Sequence, residues 1–183
     1  YFAGKALPRS LSLDGTTPIM PILAAELAAS GVTFRNAFHV NPLCAPSRSS
    51  LLTGLYSHNT GILDNLPPSG GATIFDDTAT ISIRLHDAGY RTGLIGKYLN
   101  QYVDLNSCIP PGWDDWEVFQ NATYYGYDLN VNGTNVAYGS APADYSTDVL
   151  FARAVKFIQA SAGAKAPFFL FLTPFAPHSP ATP

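Results

Sequence analysis

The sequence predicts an α/β protein, a largely parallel sheet flanked by helices, and three observations carry that prediction. Segments with apolar residues at helical spacing alternate along the chain with short apolar runs bounded by glycine, proline and asparagine. The most apolar run, Phe168-Phe169-Leu170-Phe171-Leu172, has the length of a strand covered on both faces, as in a parallel sheet. The order that results is helix, strand, helix, helix, strand, helix, strand, not a succession of hairpins.

Each element has a local cause. Pro18 and Pro21 precede an Ala/Leu-rich segment over 22–29 that stops at Ser30-Gly31, which predicts a first helix. Residues 32–38, Val-Thr-Phe-Arg-Asn-Ala-Phe, alternate like a strand. A second helix is expected from near Pro46-Ser47 to Thr53-Gly54, because proline suits a first turn and glycine a C-terminal cap. Thr78 or Thr80 can cap a third helix through Ile81, Ile83, Leu85 and Ala88, closed by Gly89, with a strand over 90–95 behind it. Residues 105–143, with Pro110-Pro111-Gly112, Trp113, Trp116 and many Tyr and Asn, are expected to form a loop and hairpin insertion turning at Asn132-Gly133. Ser146 or Asp144 then caps a helix bearing Val149, Leu150, Ala154, Val155, Phe157 and Ile158. Its acids Asp144 and Asp148 come early and its bases Arg153 and Lys156 late, as the helix dipole favours. Residues 168–173 are expected to be a fully buried strand.

Composition narrows the class. Hydrophobic residues make up 46% of the 183 and charged residues 13%, which excludes a disordered chain or a coiled coil. Ten Lys and Arg against thirteen Asp and Glu leave a net charge of -3, so no basic surplus exists to neutralise phosphates, and nucleic acid is not an expected partner. No apolar run approaches the roughly 20 residues of a membrane span. Two cysteines, Cys44 and Cys108, are too few for a disulfide scaffold or a four-ligand zinc site, and one bridge between them stays open. Two glycosylation sequons, at Asn121 and Asn132, tilt toward a secreted, lysosomal or otherwise luminal protein. The chain begins at Tyr1, its only methionine is Met20, and it stops at Pro183 behind a Pro-rich run; it is expected to be a piece of a longer protein.

In open α/β sheets, active-site residues gather at the carboxyl ends of strands and the helix N-termini that follow. Three segments fall there: 41–48, Gly96-Lys97 and 173–178. Cys44 lies at the mouth of the second helix, where free N–H groups favour an anion, and Pro46 fixes the turn. Arg48 follows four residues later, on the same side if the turn is already helical, and offers an oxyanion a planar fork of donors.

The string Cys44-Ala45-Pro46-Ser47-Arg48-Ser49-Ser50-Leu51-Leu52-Thr53-Gly54 resembles the signature of the sulfatase family. Gly89-Tyr90-Arg91-Thr92-Gly93-Leu94-Ile95-Gly96-Lys97 resembles the second signature of the same family. The resemblance implies an alkaline-phosphatase-like fold, of which this chain would be an incomplete N-terminal domain, residues 1–183 all belonging to one catalytic domain. It implies that Cys44 is oxidised to formylglycine by a formylglycine-generating enzyme. One hydroxyl of the hydrated aldehyde would attack the sulfur of a sulfate ester, and the other would allow the hemiacetal to collapse and release sulfate. Calcium, or magnesium, would be the cofactor, with formylglycine at position 44 as the only family ligand inside this chain.

In that resemblance Arg48 stabilises the aldehyde hydrate, and Lys97 and His178 hold the sulfate, His178 also serving as a candidate acid for the leaving alkoxide. Many sulfatases follow the lysine with Trp-His, whereas this chain has Tyr98-Leu99-Asn100. His58 is a candidate to replace the missing histidine, and Asn100 a candidate substrate ligand. Gly-Lys-Tyr-Leu-Asn, Tyr124-Tyr125, Tyr145-Ser146-Thr147-Asp148 and residues 173–180 resemble the branch containing N-acetylglucosamine-6-sulfatases, heparan 6-O-sulfatases and arylsulfatases, which implies a sulfated sugar or an aryl sulfate as substrate. Asp14, Asp64 and Asp76-Asp77 receive no metal role, since adjacent carboxylates before a helix more often act as caps. Two alternatives stay open: a phosphonate or phosphodiester hydrolase on the same scaffold, and an inactive carbohydrate-binding fragment. Without the rest of the metal shell, the chain alone is expected to have little activity.

Overall fold

The computed structural model describes residues 20–32, 34 and 36–180. The chain divides into two units, residues 1–42 and 43–183. In the first, the Ala/Leu-rich segment is helical as expected, but it is wound as a π-helix over Leu23–Ala28 and none of its residues is buried. The described residues of the 32–38 segment carry no strand, contrary to their alternation; Asp14, Pro18, Thr33 and Arg35 lie outside the described residues.

The second unit is built on five strands: β1 (Arg91–Gly96), β2 (Asp115–Phe119), β3 (Asp128–Val131), β4 (Thr134–Ala137) and β5 (Phe168–Thr173). They are ordered β4-β3-β2-β1-β5, with β1 parallel to both β2 and β5, and β2, β3 and β4 joined antiparallel. The sheet is therefore mixed, parallel across β5-β1-β2 and antiparallel across β2-β3-β4. Gly96 pairs with Val118 on one side and Thr173 on the other, so the carboxyl ends of β1, β2 and β5 finish at a common edge.

Among the described residues four α-helices accompany the sheet: α1 (Cys44–Thr53), α2 (Ser57–Thr60), α3 (Ile81–Asp87) and α4 (Ser146–Ala162). Strand alternation divides the core between the two faces. Leu94, Trp116 and Val118 pack with Ala45 and Leu52 of α1 and with Tyr98 and Tyr102. Ile95, Phe119 and Leu129 pack with Leu150, Ala154 and Phe157 of α4.

The region over 105–143 contributes β2, β3 and β4, so most of it belongs to the sheet itself. Its hairpin turns at Asn132-Gly133, both in the left-handed region at φ 49° and 91°, as a tight two-residue turn requires. A buried polar network seals it to the core. Trp116 Nε1 and Asn130 Nδ2 both donate to the Tyr102 hydroxyl at 2.8 and 2.7 Å, and that hydroxyl donates to the Cys108 carbonyl at 2.9 Å. Glu117, in the middle of β2, is tolerated because Arg153 of α4 pairs with it.

Strand β5 occupies the expected residues but is only half-buried, with Phe168 39% exposed, because it has one partner, β1, among the described strands. Strand β1 is buried from Thr92 to Gly96, and its last glycine is obligatory. Gly96 sits at φ 121°, and a Cβ there would stand 2.1 Å from the Thr173 carbonyl oxygen. That obstacle is backbone and cannot rotate away. Gly96→Ala is expected to lower the unfolding free energy by about 2–4 kcal/mol in urea titration.

Candidate active site

The site grows from the start of α1. Leu43 is extended at φ -99° and ψ 144°, and the helix begins at Cys44, two residues ahead of the expected start. Pro46 thus sits inside the first turn, where its missing N–H costs nothing. Gly54 closes the helix at φ 74° and donates its N–H to Ser50 at 2.8 Å. With the turn helical from Cys44 onward, the condition for Arg48 to lie beside the cysteine is met.

Arg48 Nη1 donates to the Lys97 carbonyl at 2.7 Å. The same carbonyl accepts the Thr173 hydroxyl at 2.8 Å, while Lys97 N–H donates to the Thr173 carbonyl at 2.8 Å. One backbone oxygen therefore ties together α1, the end of β1 and the end of β5. Lys97 has left its own strand ladder only by one residue, which fixes where its side chain departs.

Cys44 is half-buried. The Lys97 ammonium and the Arg48 guanidinium both interact electrostatically with the Cys44 side chain. Burial holds the Lys97 ammonium below the ordinary lysine value, against the pull of Cys44, and the neighbouring Arg48 charge pushes in the same direction as burial. Burial likewise lowers Arg48 from its ordinary value. Two cations held against one side chain form a place for an anionic or oxygen-rich group.

His178 lies just past β5, exposed, with its ring stacked on Phe175 at 4.7 Å. Its backbone is anchored by the Tyr124 hydroxyl, which donates to the His178 carbonyl at 2.7 Å. Nδ1 meets the Ser179 carbonyl at 2.7 Å; a carbonyl only accepts, so Nδ1 carries the proton and Nε2 is the nitrogen able to exchange one. Lys97, Asn100 and His178 line one cavity of about 370 Å³ together with Gln120, Asn121 and Phe175. It lies at the common carboxyl edge of β1, β2 and β5, where ligands bind in such sheets.

Other expected residues fall elsewhere. His58 is exposed on α2, stacked on Tyr56 at 5.7 Å, and does not line the cavity. Cys44 and Cys108 are both free thiols, so the bridge left open by the sequence is not made. Asp76 accepts from the Thr78 N–H and hydroxyl at 3.1 and 2.6 Å, which closes a local turn ahead of α3 and does not cap it; the residue before α3 is Thr80. Asn121 and Asn132 are both exposed, and Asn132 Nδ2 donates to Asp115 at 3.1 Å.

Two residues of the site went unassigned in the sequence. Thr173 carries the only hint, its place before Pro174 at the end of an apolar run. Asn65, in the loop after α2, accepts the Ala45 N–H at 2.8 Å and so fixes the peptide behind Cys44, yet nothing in the loop's sequence marks it. Among the described residues no three His, Cys, Asp or Glu side chains converge to hold a metal ion. The described residues do not make a complete metal site.

A helix-borne cysteine flanked by a half-buried lysine and arginine at the carboxyl edge of an α/β sheet defines an anion-handling site of the hydrolase type. The sequence profile of the Sulfatase family matches residues 5–183, and the chain belongs to that family. It is 38% identical over 174 residues to the extracellular sulfatase SULF-1 homolog of Drosophila melanogaster, covering 91% of this chain and 15% of that protein. It is 34% identical over 181 residues to the N-acetylglucosamine-6-sulfatase of Bos taurus, covering 93% of this chain and 32% of the bovine protein. The chain thus spans less than a third of either relative. Among solved structures, Ps i-CgsB superposes with a TM-score of 0.68 at 30% identity, covering 85% of this chain and 39% of that one. A protein solved with its substrate D-glucosamine-2-N,6-O-disulfate superposes at 0.63 with 29% identity, covering 81% and 28%. Sulfatases generally use formylglycine and a divalent metal.

Proposed function

We propose that the protein containing this chain hydrolyses the sulfate ester of a sulfated sugar, of the N-acetylglucosamine-6-sulfate type, through a formylglycine made from Cys44 by a formylglycine-generating enzyme. The observation that carries the reading is the convergence of Lys97 and Arg48 on Cys44 at the first residue of α1. When present, formylglycine supplies a hydrated aldehyde whose hydroxyl attacks sulfur, and calcium, as a hard cation, is the proposed metal. The cysteine sulfur marks where the oxygens of that hydrate would stand.

The chain's own residues do the rest. Arg48 and Lys97 balance negative charge at position 44, Lys97 and the doubly protonated form of His178 hold the sulfate oxygens, and that imidazolium passes its Nε2 proton to the departing alkoxide while Nδ1–H stays on the Ser179 carbonyl. We assign His58 no part, because it does not line the cavity that Lys97 and His178 share. A secreted or luminal protein is the matching location. Of the two sequons, Asn132 in its exposed turn is the better placed for a glycan, since Asn121 lines the cavity.

Matched substrates test this reading. The full-length protein is expected to hydrolyse N-acetylglucosamine 6-sulfate far faster than the methyl phosphodiester at the same 6-position of the sugar; a preference for the phosphodiester would overturn it. A pH prediction follows from Lys97. Its cationic form holds sulfate, and its lowered pKa means that this form is lost, as pH rises, sooner than for a solvated lysine. The alkaline limb of kcat/KM is expected below the ordinary lysine range, and Lys97→Arg is expected to move it upward in a pH–rate profile.

A further inference from the structure

The cavity at the sheet edge carries more than the sulfate-holding pair. Around Lys97 and His178 its wall includes Asn100, Gln120, Phe119 and Phe175. Asn100 and Gln120 line this wall, and their amide oxygens, Oδ1 and Oε1, are buried without a hydrogen-bond partner, so that a side-chain rotation presents them to a ligand in the cavity. Neither residue is loosely held. The Asn100 carbonyl accepts the Ala72 N–H at 2.7 Å, and the Gln120 N–H extends the ladder to the Asp128 carbonyl at 2.9 Å. Gln120 Nε2 donates to the Ser107 hydroxyl at 2.7 Å, which leaves its oxygen as the end of the amide still to be satisfied.

A buried acceptor without a donor is costly, and native proteins seldom keep one without a reason. Two on one cavity wall, both able only to accept, call for a ligand that brings donors. The volume of about 370 Å³ lies in the range of small-ligand sites. Phe175, half-buried on the same wall, adds an apolar surface suited to the C–H face of a saturated ring.

We propose that Asn100 and Gln120 form the hydroxyl-reading part of the site, accepting donors from a polyhydroxylated ring and selecting a sugar over an aryl group. Asn100 was already a candidate substrate ligand; Gln120 and the shared acceptor chemistry are new. The inference deepens the reading above and rests on it for the direction of the substrate, with the sulfate at Lys97 and His178 and the alcohol part across the cavity. An aryl alcohol offers these two oxygens nothing, so a site built this way rejects it by leaving both unpaired.

The test uses two neutral or simple probes, so that it does not depend on turnover. Binding of methyl N-acetylglucosaminide and of inorganic sulfate to the full-length protein is measured by ligand-observed NMR. Gln120→Met and Asn100→Leu are each expected to weaken the sugar about tenfold, the loss of one hydrogen bond, while sulfate binding persists. Gln120→Glu, which keeps an acceptor at the same place, is expected to retain sugar binding. Equal sugar affinity in wild type and both apolar variants, or no sugar binding by the wild type, would overturn the proposal. Sugar binding that follows the pattern, with no binding of sulfate, would leave this inference standing and count against the sulfatase reading instead.

Discussion

Cys44→Ala is expected to reduce sulfate-ester hydrolysis by the full-length protein at least about 10³-fold, since it removes the group on which covalent catalysis depends. The loss should be chemical and not structural. Cys44 is half-buried at the first residue of α1, makes no disulfide, and is followed by Ala45, Pro46 and Gly54, which set the helix without it. Its replacement is expected to move stability by only about 1 kcal/mol or less, as measured in urea titration. Cys44→Ser keeps a hydroxyl but has no thiol to oxidise, and it is expected to be nearly as poor. A serine variant with wild-type turnover would mean that a plain nucleophile suffices, and the formylglycine reading would fail.

The second large effect belongs to Arg48. Its guanidinium does two things: it donates to the Lys97 carbonyl at 2.7 Å and it faces the charge at Cys44. Arg48→Ala is expected to lower kcat/KM about 10²- to 10³-fold, the usual cost of one preorganised donor. It should also destabilise the chain by about 1–3 kcal/mol, because α1 loses its bond to the end of β1. The Lys97 carbonyl keeps the Thr173 hydroxyl, so the fold should survive. Arg48→Lys keeps the charge but cannot reach both places with one compact ammonium, and only partial recovery is expected. Unchanged kinetics in Arg48→Ala would remove Arg48 from the site.

Much of this was legible in the residues because the signals were local. Gly54 ends α1 and Gly89 follows α3 because both adopt the left-handed conformation that the sequence pattern called for, and β5 spans the expected 168–173. The Asn132-Gly133 turn was visible for the same reason. What failed to show was pairing at long range. Strand β2, Asp-Trp-Glu-Val-Phe, reads as loop because of its acids, and only Arg153, thirty-six positions on, explains Glu117. The half-exposure of β5 was hidden because an apolar run records what a strand could bury and not how many partners it has.

The site divides in the same way. Cys44, Arg48, Lys97 and His178 could be named from motifs, and the structure brings the first three together and sets Lys97 and His178 on one cavity. The residues that hold them in place could not. Asn65 reaches Ala45 across twenty positions and Thr173 reaches Lys97 across seventy-six, distances at which neither spacing nor periodicity carries information. His58 shows the converse: a suggestive position after α1, but a side chain away from the cavity that Lys97 and His178 share.

Peptide mass spectrometry of the segment containing Cys44, on full-length protein from a cell that carries the formylglycine-generating enzyme, tests the central claim most directly. The account predicts a peptide in which position 44 has lost its sulfur and gained an aldehyde oxygen, in proportion to the sulfatase activity of the preparation. An unmodified thiol at position 44 in fully active protein would contradict it.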